Sequence, residues 1–404
     1  MWIVQEIIRK YESGRDWEFD LQVLPEEEEK SRRIQNRTLR IQEEAYRSCG
    51  KGELLEEIRF LEKQGLIRKT KWLSYGSDAE EITYALSDME RFYRLEGRMP
   101  KPQLVKEYLD TVDNRLKQTR KLWIRRFFEN ELVKARKGKL PKDPKKQENI
   151  FVCLSGLDAL EEPVFRRVFS KRYLCNSKAF EQDYQDSIVS AARKYHEGID
   201  EEMSDTQVLS ELLIEEYAQE LALKGPLHLT LKGKELRLED FCCGTVLNSE
   251  TMKLADIPGS QPIDSVITVE NKANFVSMPY QEGTLILFCH GFFSPKEREF
   301  LQRLSKILEE QEARTGRGVR YLHTGDLDYG GIRIFQYIRS RIFPKLQPLN
   351  MDEKTYLHYR AYGEPMEEQT RKKLELLRET GLDDLIGCMR REGYTVEQEA
   401  FLIE

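Results

Sequence analysis

The chain has 404 residues, 39% hydrophobic and 34% charged, with a net charge of −6. This is long enough for two or three domains and suits a globular protein with a large solvated surface. It contains no run of 18 apolar residues, so no membrane span is expected. Its seven cysteines include no CxxC pair, which argues against a disulfide framework or a zinc ribbon. A reducing cytoplasm fits this composition best, with adjacent Cys242 and Cys243 expected as buried thiols.

In chain order, "MWIVQEIIRKYESG" reads as an amphipathic helix with Val4, Ile7, Ile8 and Tyr11 on one face and no signal-peptide core. Leu54, Leu55, Ile58 and Leu61 mark a second helical face, which Gly65 can terminate. "LIRKTKWLSYGSDAEEITYALS" predicts two strands around a turn containing Gly76. Helices followed by such a hairpin resemble a winged helix, a module used for DNA contact and also for packing or dimerisation. A long helical stretch is predicted over 87–138.

Residues 114–146 hold 13 Lys/Arg against Glu129, Glu131 and Asp143, with Trp123, Phe127 and Phe128 interleaved. This is either a solvated helix followed by a basic linker, or an arm contacting phosphates through residues such as Arg120, Lys121, Arg125 and Arg126. A Pro/Lys-rich linker over 139–147 opens the second region. There "VFSKRYLCNSKAFEQDYQDSIVSAARKY" predicts a turn feeding a helix, and a polar helix is expected near 205–224. "PLHLTLKGKELRL" alternates, turns at Lys232-Gly233-Lys234, and alternates again, a β-hairpin signal.

From about residue 262 strands alternate with helices: "SVITV", "TLILFC", a helix over 295–313, "VRYLHT", then a helix through Ile338. This implies a parallel α/β sheet, which places ligands beyond the C-terminal ends of its strands. Glu270 follows the first of those strands, and Asp326 and Asp328 follow "VRYLHT". In extended chain, residues two apart face the same way, so the two aspartates can present both carboxylates to one side. If the two strands are neighbours, three carboxylates converge and repel, which a hard divalent cation relieves. Gly330 and Gly331 allow a tight turn and the close approach of a ligand. An EF-hand reading fails, because Tyr337 stands where that loop needs its last glutamate. His323 is expected to be structural.

The stretches "VITVENKANF" and "YLHTGDLDYGGIRIF" resemble the Toprim domain of topoisomerases, primases and nucleases. More narrowly they resemble the JetD family, the nuclease components of Wadjet anti-plasmid defence systems. "NSKAFE" (176–181) and "VEQEAF" (396–401) resemble weaker motifs of that family, and the likeness covers roughly 150–404. It implies a multidomain α+β and α/β protein. A helical and winged-helix-like arm region would span 1–146. A central winged-helix (CAP-like) domain over 147–260 would be similar to that of the DNA-cleaving chain of topoisomerase VI. A Toprim catalytic domain would span 261–404.

By the same resemblance, Glu270, Asp326 and Asp328 are the catalytic, metal-binding acids, holding one or two Mg²⁺ or Mn²⁺ ions. The protein is then a homodimeric endonuclease acting on DNA, closed-circular plasmid above all, beside an SMC-like ATPase complex with kleisin subunits (JetABC). Glu397 and Glu399 are candidates to support the metal from behind, and Lys178 to contact a phosphate. The cleaving tyrosine motif of topoisomerase VI is missing: Tyr173 and Tyr184 lack its setting, which favours hydrolysis by water. Two alternatives stay open: a topoisomerase-like transesterase using a tyrosine, and a non-catalytic DNA-binding protein with a structural metal.

Overall fold

The computed structural model describes residues 1–21, 35–73 and 78–403. The chain forms two compact units, Met1–Gln147 and Glu148–Glu404. In the first, helix Trp2–Ser13 buries the expected Val4, Ile7, Ile8 and Tyr11. Helix Lys51–Lys63 buries Leu54, Ile58 and Leu61 and stops before Gly65, which takes the left-handed φ of +68° that favours glycine. The predicted hairpin forms from β2 (Ile67–Leu73) and β3 (Asp78–Ala85), paired antiparallel. Its turn at Gly76 lies outside the described residues. A strand with no sequence signal strong enough to mark it, β1 (Asn36–Arg40), covers the other edge of β3.

The helix expected over 87–138 is three helices: Met89–Glu96, Lys101–Gln118 and Leu122–Arg136. Gly97 ends the first in the left-handed region and Pro100 and Pro102 begin the second, as their backbone preferences dictate. The expected linker over 139–147 is helical from Pro144 onward. Asp143 accepts the Lys146 N–H at 2.9 Å, an N-cap followed by proline at the first helical position.

The second unit is organised by one six-stranded sheet. In spatial order it runs β9 (Gln347–Pro348), β8 (Arg320–Thr324), β6 (Ser265–Val269), β7 (Thr284–Phe288), β4 (Glu220–Lys224), β5 (Thr245–Asn248). The first four are parallel, whereas β4 and β5 join antiparallel. The expected parallel sheet is therefore mixed, and it takes two strands from ahead of residue 261. The polar helix predicted near 205–224 ends at Glu211, and Glu220–Lys224 is strand β4. Leu221 and Leu223 are fully buried there, so pairing with β7 overrides a composition that reads as helix.

Every residue of β6 is buried, as a central parallel strand requires. The hairpin His228–Leu231 with Lys234–Arg237 forms as predicted, turning through Lys232 and Gly233 at positive φ. Cys242 and Cys243 are exposed on a turn closed by Gly244, not buried. Two adjacent side chains on a tight surface turn cannot both point inward. Among the described residues, no helix is long and apolar enough to cross a membrane.

Candidate functional site

Strand register brings the acids together. Val269, the last residue of β6, pairs with Thr324, the last of β8. The next residues on both strands therefore leave the sheet side by side. The Glu270 N–H donates to the Thr324 carbonyl at 3.1 Å, and the Asp326 N–H donates back to Glu270 Oε2 at 3.0 Å. Gly325 lies under that contact, and a Cβ there would collide with the Glu270 carboxylate.

The predicted alternation past β8 holds. Leu327 is fully buried while Asp326 and Asp328 flank it at partly open positions. Their two carboxylates nevertheless have different duties. Asp328 is the N-cap of helix Tyr329–Arg341 and accepts the Gly331 N–H at 2.7 Å. Asp326 Oδ1 instead accepts the Gln398 N–H at 2.7 Å. The glycine pair divides its work too. A Cβ on Gly331 would overlap the Asp326 carbonyl oxygen, so this glycine serves the chain's own close approach rather than a ligand's. Gly330 has room and lines the cleft.

The carboxy-terminal segment forms the third side. Leu327 and Val396 make an antiparallel bridge, N–H to carbonyl at 2.8 and 3.2 Å. From there Val396, Gln398 and Ala400 are buried in alternation while Glu397 and Glu399 stay exposed. Asp326, Glu397 and Glu399 each offer an oxygen within 4.8 Å of the others'. The two glutamates expected to stand behind the metal are thus in the same group as Asp326, while Glu270 and Asp328 adjoin it.

The electrostatics are those of like charges crowded out of water. Burial, opposed by the Asp326 N–H and reinforced by Asp328, Glu397 and Glu399, pushes the Glu270 carboxyl up to about 7. Burial and then Glu270 push Asp326 up to about 9. Burial also raises Asp328, with Glu202 adding to it, and raises Glu397, with Asp328 and Glu399 adding.

A cleft of ≈ 470 Å³ opens onto the group, lined by Glu202, Glu270, Asn271, His290, Asp326 and Gly330 among others. His290 contacts both carboxylate oxygens of Glu297 at 3.1 and 3.2 Å; burial opposes its charging, but Glu297 outweighs that and raises its pKa. Glu202 and Gln398 were not found from sequence. Glu202 arrives on a loop fastened to the Tyr329–Arg341 helix by Asp200–Arg333 and by the Tyr329 hydroxyl on Glu201 (2.6 Å), which no local pattern announces. Gln398 left no signal of its own either, because Glu397, Gln398 and Glu399 are all polar and their alternation is one of burial that only the structure shows.

His323 is structural as expected. It is fully buried, with Nδ1 2.8 Å from Thr268 Oγ1, and burial alone holds its pKa down at about 3. Lys178 is exposed on a turn, its backbone N–H on Asn176 Oδ1 at 3.0 Å, and does not line the cleft. Tyr184 accepts from Asn149 Nδ2 at 2.7 Å, and the Tyr173 ring packs on Phe169 with centroids 4.8 Å apart. Neither tyrosine lines the cleft.

In the amino-terminal unit, Arg125 Nη1 donates to the carbonyls of Thr119 (3.0 Å) and Leu116 (3.3 Å), closing the end of helix Lys101–Gln118. Arg120, Lys121 and Arg126 have interaction partners of their own. Trp123 and Phe128 are core residues.

Comparison with known proteins agrees with the resemblance carried by the two strand-end motifs. Residues 226–404 match the family model described as Wadjet protein JetD, C-terminal. The chain is also 28% identical over 352 residues to the Wadjet protein JetD of Bacillus cereus (strain Q1), covering 83% of this chain and 84% of that protein.

Proposed function

We propose that the chain, whose residues 226–404 match the family model of the Wadjet protein JetD carboxy-terminal region, is a JetD-like, metal-dependent DNA endonuclease acting in a defence system against plasmids. The observation that carries this reading is the gathering of five acids, Glu270, Asp326 and Asp328 just past the ends of adjacent parallel strands and Glu397 and Glu399 on the carboxy-terminal segment, with burial and neighbouring carboxylates holding Glu270, Asp326, Asp328 and Glu397 above the ordinary carboxylate range. An all-oxygen, anionic donor set fits Mg²⁺ or Mn²⁺. In this reading the β4–β9 sheet with its helices is a Toprim domain. The helix, strand, two helices and hairpin of the amino-terminal unit are a winged helix, and a second, CAP-like winged helix precedes the Toprim domain.

Asp326, Glu397 and Glu399 would hold the ion, with Asp328 and Glu270 beside them. A divalent ion held by these residues would supply charge to offset that developing on the phosphate and would make nearby water more acidic. Glu270, the acid raised to about 7, is suited to hold or release a proton at the attacking water or the leaving oxygen. Asp328 caps the helix that begins at Tyr329 and is thereby held at the mouth of the cleft beside Gly330. DNA as substrate, a homodimer, and an SMC-like ATPase complex with kleisin subunits as partner belong to the same proposal.

Hydrolysis is favoured over tyrosine transesterification because Tyr173 and Tyr184 are engaged in packing and hydrogen bonding outside the cleft. The test is supercoiled plasmid incubated with the protein, with and without Mg²⁺ or Mn²⁺. Nicked or linear product only with metal, its ends free of protein after detergent and phenol, is expected. Binding without cleavage under all metals, with the partner complex present, would favour the structural-metal reading. Protein left on the DNA ends would favour the tyrosine one.

A further inference from the structure

The acids of the cleft sit on three separate pieces of chain, and one neutral side chain fastens all three. Gln398 is 1% exposed. Its Oε1 accepts the Asn271 N–H at 2.9 Å, holding the turn that carries Glu270. Its Nε2 donates to Thr324 Oγ1 at 3.0 Å, holding the end of β8 just before Asp326. Its backbone N–H lies on Asp326 Oδ1, and its carbonyl accepts Asn274 Nδ2 at 2.9 Å. Every polar group of the residue is therefore spent on the two loops that bear Glu270 and Asp326, while its neighbours Glu397 and Glu399 face the same aspartate.

The charge on these groups makes the arrangement expensive without a fastener. Glu270, Asp326, Asp328 and Glu397 repel one another, and each would move apart if its loop were free. An amide is the side chain suited to the fastening position. It can accept from one loop and donate to the other at once, and it adds no charge to a site already crowded with negative groups. A glutamate would add another like charge, and an apolar residue would leave a buried N–H without an acceptor.

We propose that Gln398 is a positioning residue for the metal site, acting through its side-chain hydrogen bonds to Asn271 and Thr324 to hold the Glu270 loop against the Asp326 loop, whose carboxylate would join Glu397 and Glu399 in holding a cation. The proposal rests on the metal-nuclease reading. It predicts that the side chain of Gln398 sets metal affinity although it contacts no metal itself, as outer partners of metal ligands do.

The test is Mn²⁺ binding to the full chain, followed by electron paramagnetic resonance, with no DNA present. Gln398→Leu should bind Mn²⁺ about 10- to 100-fold more weakly than the wild type. The control is Gln261→Leu. Gln261 is equally buried and its side chain makes three hydrogen bonds, to the backbone of His228 and Pro258, away from the cleft. It should lose thermal stability but keep wild-type Mn²⁺ affinity. Plasmid cleavage by Gln398→Leu should recover as Mn²⁺ is raised, which a merely structural lesion would not do.

Thr324→Val, which keeps strand shape and removes only the Nε2 acceptor, should weaken Mn²⁺ binding in the same direction by a smaller factor. It serves as the deciding variant if Gln398→Leu fails to fold. Unchanged Mn²⁺ affinity in Gln398→Leu, or in Thr324→Val where that variant decides, overturns the proposal and leaves the metal reading standing. A wild-type protein that binds no Mn²⁺ overturns both.

Discussion

Two stretches of this chain concentrate charge of one sign, and the fold treats them in opposite ways. The basic stretch over 114–146 spends much of its charge locally. Arg125 caps a helix end, Lys117 pairs with Asp113 at 2.6 Å, and Lys134 pairs with Glu131 at 2.6 Å, while the aromatic residues Trp123 and Phe128 go to the core. The acidic group does the reverse. Glu270, Asp326, Asp328 and Glu397 are gathered from three segments and held with their pKa values raised. Charge that is satisfied where it stands stabilises a helix. Charge of one sign that the fold assembles and partly buries costs stability, and such an arrangement points to a ligand that offsets the cost.

The largest effect that would break this comparison is on cleavage. Asp328→Asn keeps the helix N-cap, since asparagine caps as well as aspartate, but removes the charge. It should fold normally and lose plasmid cleavage by about 100-fold or more, as should Asp326→Asn and Glu270→Gln. Near-wild-type cleavage in Asp328→Asn would remove the acids from the mechanism.

Next in size is Gly331→Ala. The new methyl must displace the Asp326 backbone, at a cost of about 1–3 kcal/mol of overpacking. Chemical denaturation should show a lower midpoint with cleavage reduced as well. Full stability would mean the Asp326 turn is looser than the structure shows.

The third sharpens the electrostatics. A carboxyl whose folded pKa lies above its unfolded value binds its proton more tightly when folded, so it favours the fold at low pH and that contribution is lost as pH rises. For Glu270 and Asp326, raised to about 7 and about 9, the metal-free protein should lose thermal stability steadily between about pH 5 and 9. Mg²⁺ or Mn²⁺ should restore it, most at the alkaline end, because the metal takes the deprotonated forms. Asp326→Asn should flatten the slope. A metal-free melting temperature that rises over this range would contradict the crowding of these acids.

The smallest effect is expected in the basic stretch. Arg125→Ala loses the two carbonyl contacts and should destabilise by about 1 kcal/mol. The salt dependence of DNA binding should stay as it is. A log–log slope reduced by about 0.9 for this single change would show that Arg125 meets a phosphate after all.

Much of the fold was legible because it rests on periodicity. The faces of Trp2–Ser13 and Lys51–Lys63, the two hairpins, and the strand–helix alternation from Ser265 to Arg341 all follow local pattern, and Glu270, Asp326 and Asp328 stood out as acids at strand ends. Where prediction failed, partners distant in sequence decided. Glu220–Lys224 became strand because β7 offered an open edge, and Gly97 with Pro100 divided what composition alone reads as one long helix.

The sequence by itself determined which residues carry the charge and on which elements they ride. Only the tertiary structure decided their company. The Val269–Thr324 register set Glu270 beside Asp326, the cap at Tyr329 drew the Asp328 carboxylate to Gly331, and the Leu327–Val396 bridge delivered Gln398 with Glu397 and Glu399 from about 70 residues downstream. Periodicity is a property of neighbours along the chain, whereas mutual repulsion, burial and a shared hydrogen-bonding glutamine exist only between groups that folding has brought within a few ångströms.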